Sequence, residues 1–480
     1  MKKYLFVGAE VMPFAATGGL GDVMGSLPAA IKAKEKTQAD VRVVMPLYAM
    51  IKDEWRAQMK DEAVFTVNLA WRKQYCGIKS LVKDGVTYYF IDNEYYFKRG
   101  ALYGFYDDGE RYAFFCKAVL EMMAKLDFYP DVLQANDWQA AMAVVYLNTK
   151  YRYLEGYSGI KTVYTIHNIE YQGKYDFSIL GDVFDMGPEY YALMRYDDCI
   201  NLMKAAIECA DMVSTVSERY AEEIKTPEYS HGLYHVLYRN AQKLTGILNG
   251  IDYAYYNPAK DDVLCKNYDR RNVITGKAEN KMALQREYGL PERADVPMLA
   301  IISRLATHKG LDLVREIAAS VVRNNDVQFV ILGKGEAQYE SFFTQLEAEY
   351  PDKVKALLTY DRDLSKKIYA ACDIFVMPSK SEPCGLSQMI ASRYGAVPVV
   401  RETGGLADSI KGYWVDGDEI KGNGFTFANY NACELEDRIN AALALYADKP
   451  QYKRFVSKVM GTDFSWTASA EKYMEMFDSL

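Results

Sequence analysis

The sequence lacks paired cysteines, a long apolar run and an excess of positive charge, and it holds only four histidines. Its eight cysteines are scattered. None forms a Cys-x-x-Cys pair or stands with histidine at zinc spacing, which excludes a disulfide framework and a finger-type metal site. Such thiols are expected to be reduced, in the cytoplasm. His231 and His235 lie four apart but have no third ligand of metalloprotease type, so no metal is expected. No stretch approaches the ~18 uninterrupted apolar residues of a membrane helix. The opening Met1-Lys2-Lys3 and its apolar run lead straight into a glycine loop, which reads as a first strand rather than a signal peptide. A net charge of −8 repels DNA, RNA and anionic membranes, and no partner of those kinds is expected.

What is present is a grammar of short apolar strands, each followed by a loop and a helical pattern. With 480 residues the chain suits more than one core, since single domains hold roughly 100–200 residues. The runs 4–9, 41–46, 131–135 and 162–166 read as strands. The pattern restarts at 298–303, 327–333, 373–378 and 397–400. Strands alternating with helices imply parallel sheets covered on both faces. The hexamer TGGLGD at 17–22 has a near copy, TGGLAD, at 403–408. The expected fold is α/β, with two doubly wound sheets and ligands at the carboxyl ends of strands. A turn-rich boundary falls at Leu248-Asn249-Gly250-Ile251-Asp252.

Several strand-end motifs can carry chemistry. Gly18 and Gly19 could offer backbone N–H groups to a phosphate at a helix amino end, or form a plain tight turn. Their loop has neither the P-loop nor the GxGxxG spacing, which disfavours ATPase and dehydrogenase readings. Arg304 and Lys309, in SRLATHKG at 303–310, could clamp a diphosphate and neutralise it on departure, or be surface cations. Glu382, in PSKSEPCGLSQ at 378–388, could bind sugar hydroxyls while the amides of Gly385 and Leu386 reach a phosphate, or simply cap a helix. Cys384 lacks a base partner nearby in sequence and reads as a packed thiol. Asn136-Asp137-Trp138 and His167-Asn168 follow strands and are rich in hydroxyl-binding groups. Asp361-Arg362-Asp363 has the metal-binding Asp-x-Asp form, yet it precedes a helical stretch and reads as a cap.

Taken together, TGGLGD, NDW at 136–138, TIHN at 165–168, SRLATHKG, PSKSEPCGLSQ and VRETGGLAD at 400–408 resemble bacterial glycogen synthases and plant starch synthases, glycosyltransferase family 5. ADMVSTVSERY at 210–220, LNGID at 248–252 and DFSW at 463–466 agree, so the resemblance spans the chain. It implies the GT-B arrangement, two Rossmann-like domains facing across a deep cleft. Residues 1–250 would form the acceptor side, residues 251–460 the nucleotide-sugar side, and 461–480 a helix returning to the first domain. The implied activity is retaining transfer of glucose from ADP-glucose to the non-reducing end of an α-1,4-glucan such as glycogen, without cofactor or metal.

The resemblance also implies site roles. Arg304 and Lys309 would bind the donor diphosphate, Glu382 the glucose, and Gly385 and Leu386 the distal phosphate. Tyr360 would stack on adenine, with Asn136 and Asn201 beside the sugar. His167, Asp22, Gly18, Gly19 and Thr403 would line the cleft. One departure stands out: family loops usually read Lys-Thr-Gly-Gly-Leu, and here that position is Ala16. A charge-assisted hydrogen bond contributes roughly 1.5–3 kcal/mol. Its loss would weaken the donor by one to two orders of magnitude at about 1.4 kcal/mol per tenfold. Two alternatives therefore stand beside the main reading: the same fold with another donor such as UDP-glucose, or a weakened glucan-binding or regulatory paralogue. Oligomeric state is not legible.

Overall fold

A computed structural model describes residues 1–35 and 39–480. Two compact units emerge: residues of 1–250 together with Trp466–Leu480, and Ile251–Ser465.

The first unit is built on a nine-stranded sheet. Its strands are β1 (Lys2–Val7), β2 (Ala39–Pro46), β3 (Lys60–Leu69), β4 (Arg72–Lys83), β5 (Val86–Asp92), β6 (Val132–Asn136), β7 (Lys161–Ile166), β8 (Met212–Thr215) and β9 (Leu244–Gly246). The order is β9-β8-β7-β6-β1-β2-β5-β4-β3. All neighbours are parallel except the β3–β4 and β4–β5 pairs. Tyr4 to Val7 are buried without a break, as a strand covered on both faces requires. On β3, at the sheet edge, exposed and less exposed residues alternate, as on a strand with one wet face. The chain leaves β1 for β2 on one side and returns to β6 on the other. That reversal is a topological switch point, where open α/β sheets bind ligands at their strand ends.

Three helices frame this end. Helix α1 (Gly19–Glu35) opens on the glycine loop and buries Leu20, Val23, Met24, Leu27 and Ile31. Their spacing of three and four is that of one helical face. Helix α2 (Asp137–Tyr146) follows β6 directly. Helix α3 (Leu202–Cys209) follows the short strand Cys199–Asn201 of a separate three-stranded antiparallel sheet.

The second unit repeats the plan with six parallel strands. They are β10 (Met298–Ile302), β11 (Gln328–Leu332), β12 (Val354–Leu357), β13 (Ile374–Met377), β14 (Val397–Arg401) and β15 (Phe425–Phe427). Their order is β12-β11-β10-β13-β14-β15, so the switch point lies between β10 and β13. Helices α4 (Val273–Tyr288), α5 (Leu311–Asn324), α6 (Arg362–Ala371), α7 (Ser387–Arg393) and α8 (Gly404–Ser409) belong to this unit. Two buried lysines of α4 fasten it. Lys281 pairs with Asp373 at 2.6 Å, and Asp373 accepts from the Met298 amide at 2.8 Å. Lys277 donates to the carbonyls of Tyr369, Ala370 and Tyr394 at 3.0, 3.1 and 3.0 Å. Burial lowers its ammonium to about 8.

The last helix, α9 (Trp466–Asp478), belongs to the first unit. Phe477 meets Tyr4 with ring centroids 5.2 Å apart, and Ser469 donates to the Leu248 carbonyl. Lys2–Asp478 and Lys34–Glu471 ion pairs flank the seam. Among the described residues no helix is long and apolar enough to cross a membrane.

Candidate active site

In the first unit the glycine loop is organised by a residue that the sequence reading passed over. Glu10 is buried and accepts four hydrogen bonds. The Thr17 and Gly18 amides donate to Oε2 at 2.7 and 3.0 Å, and the Thr17 hydroxyl donates to Oε1 at 2.8 Å. Tyr103 donates to Oε1 at 2.7 Å. The Gly18 amide is thus given to an internal carboxylate, and the loop is shaped by that anchor. Gly19 is exposed as the first residue of α1, and Asp22 sits in the first turn. Ala16 is half-buried beside this carboxylate-held turn.

At the carboxyl ends of β6 and β7, Asn136, Asp137 and His167 come together. Asn136 is fully buried. Its Nδ2 donates to the Val7 carbonyl at 3.1 Å, and its Oδ1 faces His167 Nε2 at 2.9 Å. Asp137 turns the chain with a φ of +57° and accepts the His167 and Asn168 amides at 2.8 and 3.3 Å. Left-handed geometry suits Asp and Asn better than bulkier residues, because a short polar side chain can bond locally. Burial raises the Asp137 carboxyl to about 7, against the pull of those two amides. Burial lowers the His167 imidazole to about 3, so the ring is neutral at physiological pH. Asn201 is also fully buried: it caps α3 by accepting from the Lys204 amide and donates to Gln172 at 2.8 Å.

In the second unit the strand ends of β10, β13 and β14 bring together the residues quoted from three separate motifs. Lys309 Nζ lies 2.7 Å from Glu382 Oε2, and the Ser379 hydroxyl donates to the same oxygen at 3.0 Å. Glu382 is buried, which fixes its carboxylate where a small polar ligand could reach it without much water. Arg304 is exposed, with no hydrogen-bond or ion-pair partner among the described residues. The backbone here is very close. A side chain on Gly404, at φ +44°, would lie 2.0 Å from the Glu382 carbonyl. One on Gly310, at φ +74°, would lie 2.1 Å from the Pro378 carbonyl. Only glycine lets these loops stack.

Gly385 is also left-handed, at φ +71°, just ahead of α7. The amides of Gly385 and Leu386 take no protein acceptor among the described residues. Thr403 is buried at the N-cap position of α8. Tyr360 is 78% exposed beyond β12, and its hydroxyl accepts from Arg362 Nε at 3.2 Å. Asp361 caps α6 through the Leu364 amide at 2.9 Å, and no group of three metal-ligating side chains occurs among the described residues.

Comparison with known proteins gives these groups a context. Residues 3–239 match the starch synthase catalytic domain family, and residues 287–458 match the group 1 glycosyl transferases. The chain is 45% identical over 481 residues to a glycogen synthase of Ligilactobacillus salivarius, covering all of both chains. It is 47% identical to a glycogen synthase of Clostridium botulinum, covering 100% of this chain and 99% of the other. Among solved structures, the catalytic domain of starch synthase IV from Arabidopsis thaliana, bound to ADP and acarbose, superposes with a TM-score of 0.89. It is 34% identical and covers 100% of this chain and 99% of that one.

Proposed function

Because the chain belongs to the glycogen synthase and starch synthase family of glycosyltransferases, we propose that it extends an α-1,4-glucan at its non-reducing end with glucose from ADP-glucose, retaining the anomeric configuration. The observation that carries this reading is the strand-end cluster of the second unit. An unpartnered arginine, a lysine paired to a buried carboxylate and two free amides stand at one switch point. Those are the groups that a sugar bonded to a diphosphate requires. The relative solved with ADP and acarbose supports a nucleotide and a glucan as the two ligands.

In this reading the second unit is the nucleotide-sugar side and the first unit the acceptor side. Arg304 and Lys309 hold the diphosphate and neutralise it as it leaves. Glu382 receives glucose hydroxyls, Gly385 and Leu386 bind the distal phosphate, and Tyr360 stacks on the base. Gly19, Asp22, His167 and Thr403 line the sugar side. Asn136 and Asn201 act from beneath, since both are buried. The acceptor hydroxyl bonds to C1 as the C1–phosphate bond breaks. The diphosphate takes the electron pair, and the hydroxyl proton passes to its oxygen. Attack from the leaving-group face retains configuration without a covalent sugar–enzyme bond. A trapped glucosyl–enzyme adduct would refute that step.

The test is glucose incorporation into glycogen from ADP-glucose or UDP-glucose, beside an Ala16→Lys variant. Transfer from ADP-glucose, with a lower donor KM in the variant, is the expected result. No transfer from either donor, with or without the lysine, would overturn the reading.

A further inference from the structure

Arg401 ends β14 in the second unit, and it is buried. Its guanidinium meets backbone instead of a carboxylate. Nε donates to the Ser379 carbonyl at 2.9 Å, Nη2 donates to the Lys380 carbonyl, and Nη1 reaches the Ala428 carbonyl at 3.4 Å. No ion pair holds it among the described residues. The Tyr430 ring centroid lies 5.7 Å from the guanidinium carbon, and the Tyr430 hydroxyl donates to Asp312 of α5. Burying a cation without a counter-ion is expensive. A planar guanidinium carries its donors in a fixed fork, so it can grip two successive carbonyls of one loop and a third from another. An ammonium has no such fork. The loop gripped in this way is the one that carries Glu382.

A continuous line of bonds leads from Arg401 to that carboxylate. Arg401 holds the Ser379 carbonyl, and the Ser379 hydroxyl donates to Glu382 Oε2 at 3.0 Å. Lys309 donates to the same oxygen at 2.7 Å. The Lys380 amide donates to the His308 carbonyl at 2.9 Å, which ties this loop to the one bearing Lys309. Both side-chain donors therefore converge on Oε2. Glu382 Oε1 takes no donor among the described residues, and it is not sealed in the core. An ionised carboxylate only accepts, so Oε1 stands open to a hydroxyl from outside the protein.

We propose that Arg401 is a positioning residue for Glu382. By clamping the Ser379 and Lys380 carbonyls it turns Oε2 toward Ser379 and Lys309, and it leaves Oε1 to accept from a hydroxyl of the donor's glucose. The sugar half of this inference rests on the function proposed above, and the clamp does not. Arg401 acts through Ser379, so its effect should follow the sugar and spare the nucleotide.

Two variants of the intact protein test this. Arg401→Lys keeps the charge and removes the fork. Ser379→Ala keeps the clamp and cuts its link to Glu382. In Arg401→Lys, kcat/KM for ADP-glucose should fall about 10²-fold, the size of a misplaced contact. Calorimetry should find its ADP affinity within about twofold of wild type, because ADP offers Glu382 no sugar to hold. Adding Arg401→Lys to Glu382→Gln should lower transfer little further, since the two residues act as one unit. Equal losses for ADP and ADP-glucose, or losses that multiply in the double variant, would overturn the positioning role. Hydrogen exchange of the ligand-free protein tests the clamp without any substrate. The segment 378–386 should exchange about tenfold faster in Arg401→Lys, and unchanged exchange would overturn the clamp. Faster exchange in a protein whose wild type transfers no glucose would sink the function proposed above, and the sugar half with it, while upholding the clamp. Should Arg401→Lys fail to fold, Ser379→Ala should still lower kcat/KM for ADP-glucose about tenfold or more. An unchanged value there would refute the line from Arg401 to Glu382.

Discussion

Removing the Lys309 ammonium separates what the Lys309–Glu382 pair does for the fold from what it does for catalysis. The charges are 2.7 Å apart, with side-chain exposures of 18% and 9%. At an effective dielectric of about 20, their gross attraction is about 6 kcal/mol before desolvation. Much of that is spent in taking both groups out of water, and the net pair is far weaker. Breaking it from one side is another matter. Lys309→Met leaves a buried carboxylate held only by the Ser379 hydroxyl, and stranding such a charge costs about 3–5 kcal/mol. Glu382→Gln removes the charge instead, so the double variant Lys309→Met/Glu382→Gln should be more stable than Lys309→Met alone. Urea unfolding of the four proteins gives the coupling energy, expected at about 2–3 kcal/mol. Activity should behave otherwise. On the role proposed for Lys309, losing the cation at the departing phosphate should lower kcat about 10²–10³-fold, and the double variant should not recover it. Additive stabilities would refute the buried-pair argument, and recovered turnover would refute the catalytic one.

Other outcomes follow from single sites. Asp137 has its carboxyl raised from 3.8 to about 7 by burial, so the folded state binds a proton that the unfolded state releases. Stability is therefore lost as pH rises from about 4 to 7, and Asp137→Asn should be more stabilising at pH 8 than at pH 5, by about 2.7 kcal/mol at most, since only the two pH units between pH 5 and 7 separate the two conditions. Melting curves at the two pH values measure it, and an equal effect at both would contradict the shift. Lys277→Met takes the ammonium from the buried carbonyls of Tyr369 and Ala370, while Tyr394 still accepts from the Tyr268 hydroxyl at 2.8 Å, and should cost about 2–3 kcal/mol, read from denaturant midpoints. Gly404→Ala meets a carbonyl at 2.0 Å and should abolish transfer. Gly18→Ala meets nothing within 4 Å and should change stability by less than about 0.5 kcal/mol. Activity and melting assays on the pair test the contrast.

The legible part of the molecule was the part written in apolar runs. The central strands β1, β2, β6, β7, β10, β11, β13 and β14 announce themselves because burial on both faces demands unbroken apolar residues. The antiparallel strands β3 and β4 do not. Thr66, Asn68, Lys73 and Tyr75 face solvent there, and their polar character hides the strand. At the site, the sequence reading reached Lys309 and Glu382 through motifs 73 residues apart but could not pair them. It missed Glu10, because a lone acid after a strand carries no spacing signal, although it sits seven residues before the loop that it shapes. The structure adds that Asn136 is fully buried with its Oδ1 against His167 Nε2, a pairing that no spacing announces. Nothing in the order of residues distinguishes a side chain that points to a ligand from one that points to its neighbour.

The return of α9 to β1 has a consequence for the order in which the protein can be made. Residues 251–465 are, topologically, an insertion within the first unit, which is completed only by Trp466–Leu480. A ribosome releases the chain from its amino end. The whole second unit therefore emerges, and can fold, while the first still lacks the Phe477 ring that meets Tyr4 and Phe6, and the Tyr473 ring that packs on Phe477. The unit that is translated first is the one that must wait longest, with an apolar strip beside β1 open to water until the final helix arrives.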